Sequence, residues 1–138
     1  MTKKALAICV LPLILFAANT TSARDRLIGG WRLVSLEEPG APKAECCGLF
    51  VFTRDGHASV QVMRSEGSNQ YSRGGYEATY GTYTVDETTR TFTLHVEGAL
   101  ASPLVGKDLR RVYQFSGKHL IVTSADPNEH WKVTWEHY

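Results

Sequence analysis

The chain has 138 residues, 43% of them hydrophobic, which is enough for one domain with one core. Its 15 Lys plus Arg against 14 Asp plus Glu give a formal net charge of +1. Such a balance provides neither the basic footprint that nucleic acid requires nor a polybasic patch for an anionic membrane.

The front of the chain reads as a targeting segment. Lys3 and Lys4 precede an apolar run from Ala5 to Ala18, and Asn19 to Ala23 is polar and ends in small residues suited to a signal peptidase. The run is shorter than the roughly 20 residues that span a bilayer, and Pro12 interrupts it. A signal peptide over residues 1–23, cleaved after Ala23, is therefore expected, with residues 24–138 as a secreted or periplasmic domain. No stable membrane insertion is expected after cleavage. Cys9 is a poor lipidation site, because the bulky Ile8 precedes it and the apolar run continues past it. Losing Lys3 and Lys4 turns the formal charge from +1 to −1.

The remaining segments carry a strand signature. Asp25 to Gly30 can make a short helical turn leading into a first strand, Trp31 to Leu36. Glu37 to Glu45, with Pro39, Gly40 and Pro42, is a loop. Cys46 and Cys47 follow, adjacent to each other. They can close a vicinal disulfide, bridge to another chain, or stay reduced and partly buried, the buried or bridged state being the expected one. Their spacing does not suit a metal.

Leu49 to Thr53 and Ala58 to Met63 flank Asp55-Gly56, a hairpin signal. Ser65 to Gly75 is a long polar, glycine-rich stretch, read as a surface loop with a lid over an open end as the alternative. Tyr76 to Val85, Thr91 to Glu97, Arg111 to Phe115 and Leu120 to Thr123 are four further strands, and Trp131 to Glu136 is the last. In that last strand Trp131, Val133 and Trp135 share a face.

Eight strands joined mostly by short connections predict an all-β fold, an eight-stranded antiparallel up-and-down barrel. A two-sheet sandwich is the alternative. Its crossover would have to use Glu37 to Gly48 or Ser65 to Gly75.

Gly29-Gly30-Trp31-Arg32-Leu33-Val34-Ser35 resembles the Gly-x-Trp opening of calycins, and the remainder resembles small lipocalin-like domain proteins. The resemblance is carried by Gly48 to Gly56 with Val60 to Arg64, by Tyr80 to Val85, by His95 to Gly98, by Pro103 and Gly106, and by Arg110-Arg111. It spans essentially the whole of residues 24–138, with Cys46-Cys47 departing from the pattern. It implies a lipocalin-like β-barrel that binds a small apolar or amphipathic molecule. It also implies that Trp31 packs across the closed end with Arg110 or Arg111 lying over its ring. Strand alternation turns only one of the two arginines inward.

Thr91 to Glu97 alternates without a break, so His95 and Glu97 share one face and Phe92, Leu94 and Val96 the other. The pattern favours an apolar interior with His95 and Glu97 turned to solvent. The inward alternative makes the barrel an isomerase or cyclase, with His95 and Glu97 as acid and base and Tyr83 orienting the substrate. The candidate ligand contacts are Tyr80, Tyr83, His95 and Met63. The sequence has no nucleophile elbow, phosphate loop or metal cluster, so no cofactor and no metal are expected.

Overall fold

A computed structural model describes residues 20–40, 47–64 and 69–138. The described residues contain one short α-helix, α1 (Ala23–Leu27), a 3-10 turn at Ser102–Leu104, and nine strands. These are β1 (Gly29–Glu37), β2 (Cys47–Phe52), β3 (His57–Met63), β4 (Ser72–Arg73), β5 (Tyr76–Asp86), β6 (Thr91–Ala99), β7 (Asp108–Ser116), β8 (His119–Ser124) and β9 (Lys132–His137). Each long strand pairs antiparallel with the next, β9 returns to β1, and β3 pairs with β5. The result is a closed eight-stranded up-and-down barrel, with the two-residue β4 as a flap on β5. Closure leaves no long edge unpaired, which a sandwich of these strands would not achieve.

Two irregularities bend the wall. In β1 the register slips between Leu33 and Ser35, so Val34 is the extra, exposed residue, and the inward positions shift from Trp31 to Leu36. In β6 the register slips opposite Tyr80 and Gly81, which pair with Gly98 and Val96. Glu97 is therefore the unpaired residue of a bulge. A Cβ on Gly81 would lie 1.8 Å from the His95 carbonyl oxygen, so this close approach of two backbones requires glycine.

One end of the barrel is plugged. Ser22 caps α1 by accepting from the Asp25 N–H at 3.0 Å, and Ala23 N–H donates to Glu87 at 2.8 Å. Arg24 donates to the Arg54 carbonyl at 3.0 Å, and Leu27 is fully buried. The indole N–H of Trp31 donates to the Leu27 carbonyl at 2.8 Å. Above this plug Phe50, Phe52, Tyr83 and Phe92 pack with ring centroids 4.2–5.9 Å apart.

The expected arginine over Trp31 is absent among the described residues. Trp31 meets the rings of His137 (4.0 Å) and Phe115 (6.4 Å), and the guanidinium at this end is Arg26, 3.8 Å from the Phe115 ring. The reason is position. Arg110 and Arg111 lie near the start of β7, toward the other end of the barrel, whereas Phe115 at the end of β7 is level with Trp31.

Candidate functional site

The end opposite α1 is open and leads into a cavity of about 500 Å³. Its floor and walls are apolar: Phe50 from β2, Val60 and Val62 from β3, Phe92 and Leu94 from β6, Val122 from β8, and Val133 and Trp135 from β9. These are inward positions at period 2 on their strands, so the alternation that closes the barrel also greases its interior. The expectation that Trp131, Val133 and Trp135 share a face is met, and all three line the cavity.

The mouth is polar and is assembled from connections as well as strand ends. Glu38 and Pro39 come from the chain after β1, and Arg64 directly follows β3. Asn69, Gln70 and Tyr71 belong to the glycine-rich stretch. The Asn69 side-chain oxygen accepts from the N–H groups of Tyr71 (2.8 Å) and Ser72 (2.9 Å), a local turn that delivers Tyr71 to the opening. Asp126 makes the same kind of turn with the Asn128 N–H at 2.9 Å, ahead of Glu129, His130 and Trp131.

Glu129 is the hub of one side. Its carboxylate accepts from the Tyr71 hydroxyl, from Gln70 Nε2 at 2.6 Å and from Trp131 Nε1 at 3.1 Å. Arg111 Nη1 lies 4.0 Å from the same carboxylate, and its guanidinium sits 5.1 Å from the Tyr71 ring and 4.9 Å from the Trp131 ring. Burial alone would raise the Glu129 pKa. Hydrogen bonds from Ser124, Tyr71 and Trp131 and the Arg111 charge outweigh it, and the carboxylate is held below its ordinary range. Burial, reinforced by that same hydrogen bond, pushes the Tyr71 phenol up to about 12.

On the other side Arg64 Nη1 donates to both Glu38 oxygens at 3.0 and 3.1 Å. Between the two arginines Glu77 of β5 lines the cavity, carrying no hydrogen bond or ion pair among the described residues. Burial raises its pKa to about 7 even though Arg111 and Arg64 pull it down.

The structure redistributes the sequence candidates. His95 faces solvent with its Nδ1 2.7 Å from Asp108 Oδ1, and Glu97 is exposed on the bulge, so the acid and base of the isomerase alternative lie outside the barrel. Tyr80, 55% exposed, lies on the outer surface against Gly98, and Met63 is 57% exposed. Both occupy outward positions of their strands and cannot contact a ligand in the cavity. Tyr83 is buried below the cavity, donating to the Thr53 carbonyl at 3.0 Å, where it belongs to the packed core. Of the two arginines Arg111 points inward, while Arg110 is turned outward to Thr89 and Thr91. The expectation of burial fails at Cys47, a free and exposed thiol at the start of β2, and Cys46 lies outside the described residues.

Arg64, Tyr71, Glu77 and Glu129 escaped the sequence reading. The signal for Glu77 was present: Thr79, Tyr83 and Val85 share its face in β5, so an acid sits on an inward apolar face. Tyr71 and Glu129 lie in loops, where no periodicity points to them.

Among the described residues no group of three or more His, Cys, Asp or Glu is gathered to hold a metal ion, and no helix is long and apolar enough to cross a membrane. A closed eight-stranded antiparallel barrel, plugged at one end and hollow at the other, defines a calycin-type ligand-binding barrel. The chain belongs to the lipocalin-like domain family, whose family model matches residues 28–137. No curated protein matches it.

Proposed function

We propose that this protein is an exported binding protein that takes one small apolar or amphipathic molecule into the open half of its barrel. The observation that carries the reading is the division of the interior. Aromatic packing fills the end next to α1, while a cavity of about 500 Å³ walled by aliphatic and aromatic side chains remains at the other. A molecule burying on the order of 300 Å² of apolar surface there gains about 7 kcal/mol before association costs, consistent with micromolar affinity.

The test is a fluorescence titration. Trp131 and Trp135 both line the cavity, so their emission reports its filling. A panel of fatty acids, retinoids and polarity-sensitive dyes should contain saturable ligands, and Leu94→Trp, which fills the cavity from β6, should abolish their binding while the protein stays folded. Absence of saturable binding across the panel overturns the reading. The export part rests on the lysines and apolar run of residues 1–23, and intact-mass analysis of the protein from its host tests it.

A further inference from the structure

We propose that the molecule taken up carries an anionic, carboxylate-sized head, that Arg64 and Arg111 hold this head at the mouth, and that Glu77 admits it only when uncharged. This rests on the binding reading above and adds the class of ligand and the residue that selects it.

Glu38 accepts twice from Arg64 Nη1, and Glu129 accepts from Gln70, Tyr71 and Trp131. Both carboxylates are committed. Both guanidinium groups keep donors in reserve, since Nη2 of each carries no hydrogen bond among the described residues. Arg111 is also fixed from two sides by the rings of Tyr71 and Trp131, so its planar fork is oriented before any ligand arrives. A planar carboxylate accepting from such forks forms the strongest hydrogen bonds this mouth can offer.

Among the described residues Glu77 is the remaining carboxyl of the mouth, and its charge decides the outcome. The groups facing it are Arg64 after β3, Arg111 on β7, Glu38 after β1, Tyr71 before β4, and Glu129 with His130 before β9. With Glu77 ionised, three carboxylates oppose two guanidinium groups among the described residues, and an incoming anion meets repulsion. With Glu77 protonated the five charges reduce to four that balance, and its carboxyl can donate to the ligand. Because burial places this titration near neutrality, uptake of the anion is coupled to uptake of one proton.

The full chain is titrated with decanoate, 1-decanol and decylamine, which share an alkyl tail and differ in head. Decanoate should bind about tenfold or more tightly than the other two near pH 6, the scale of a charge-assisted hydrogen bond. Its affinity should fall about tenfold near pH 8, following the protonated fraction of a group titrating near 7. Glu77→Gln, an isosteric change that removes a buried charge, should hold decanoate affinity within about twofold across the same range. Arg111→Met, which removes the guanidinium charge, should lose the preference for decanoate over decanol while still binding both. Equal binding of the three heads, preference for the amine, or a pH dependence that survives in Glu77→Gln overturns the proposal. Those outcomes leave a binding barrel in place, whereas failure of all three and of every apolar dye removes the binding reading as well.

Discussion

The Tyr71 hydroxyl donates to the Glu129 carboxylate across 58 positions of sequence, joining the glycine-rich connection before β4 to the chain that enters β9. This bond closes the rim between two loops and sets the aromatic bed on which Arg111 rests. Because burial and that bond both favour the neutral phenol, Tyr71 should stay protonated to about pH 12. In an ultraviolet titration of tyrosinate absorbance, subtracting a Tyr71→Phe variant should isolate one late-titrating phenol. A difference curve centred near 10, the ordinary tyrosine value, contradicts the bond.

Glu77 makes stability fall as pH rises. Its folded pKa of about 7 lies above its ordinary value of 4.5. Between those two values the folded protein holds a proton that the unfolded chain has released, so unfolding becomes easier with each step up in pH until the folded carboxyl ionises as well. Above about 7 the loss is complete and constant. Glu77→Gln should therefore raise the melting temperature near pH 8, by the equivalent of on the order of 2–3 kcal/mol, and have little effect near pH 4. Thermal melts of both proteins at the two pH values decide it, and a variant that gains nothing near pH 8 contradicts a carboxyl whose pKa burial has raised.

The barrel was legible because its signals are local. Period-2 alternation in Thr91 to Glu97 and in Trp131 to Glu136, the Asp55-Gly56 turn and short connections fix strands and order, and closure follows from their number. The same alternation correctly favoured His95 and Glu97 outside. The site was less legible because it is made where periodicity stops. Arg64 sits one residue past β3, and Tyr71 and Glu129 meet only after closure brings two connections to one rim. The placement of Arg111 shows the intermediate case. Alternation requires one of Arg110 and Arg111 to point in, but only the pairing of Arg111 with Phe92 selects which. The expected Trp31 contact failed because the likeness to calycins fixes which residues recur and leaves their height in this barrel open.

Gly81→Ala should be among the most damaging single substitutions in the chain. Its Cβ would fall 1.8 Å from the His95 carbonyl oxygen and 3.0 Å from the Glu97 N–H nitrogen, both backbone atoms that cannot rotate away. The bulge would have to open, at a cost of about 3 kcal/mol or more. Chemical denaturation compared with Thr82→Ala, one residue further on and not on the inward face, separates this cause from a general intolerance of change in β5. Near-normal stability in Gly81→Ala would show that β5 and β6 do not approach as described.

The cut after Ala23 that we propose from the sequence has a measurable consequence for the plug. A cut after Ala23 removes Ser22, whose hydroxyl caps α1, and Ala23, whose N–H donates to Glu87. An N-cap of this type contributes about 1 kcal/mol, and a single neutral-donor bond to a carboxylate a similar amount. A chain beginning at Arg24 should therefore unfold at lower denaturant than one beginning at Thr20, with the same dependence on denaturant, since the surface exposed hardly changes. The difference should vanish in a Ser22→Ala, Glu87→Ala background, which removes both acceptors from the longer chain. Equal midpoints for the two unsubstituted chains would mean that α1 is held by Leu27, Arg24 and the Trp31 indole alone, and that the cut at Ala23 costs the barrel nothing.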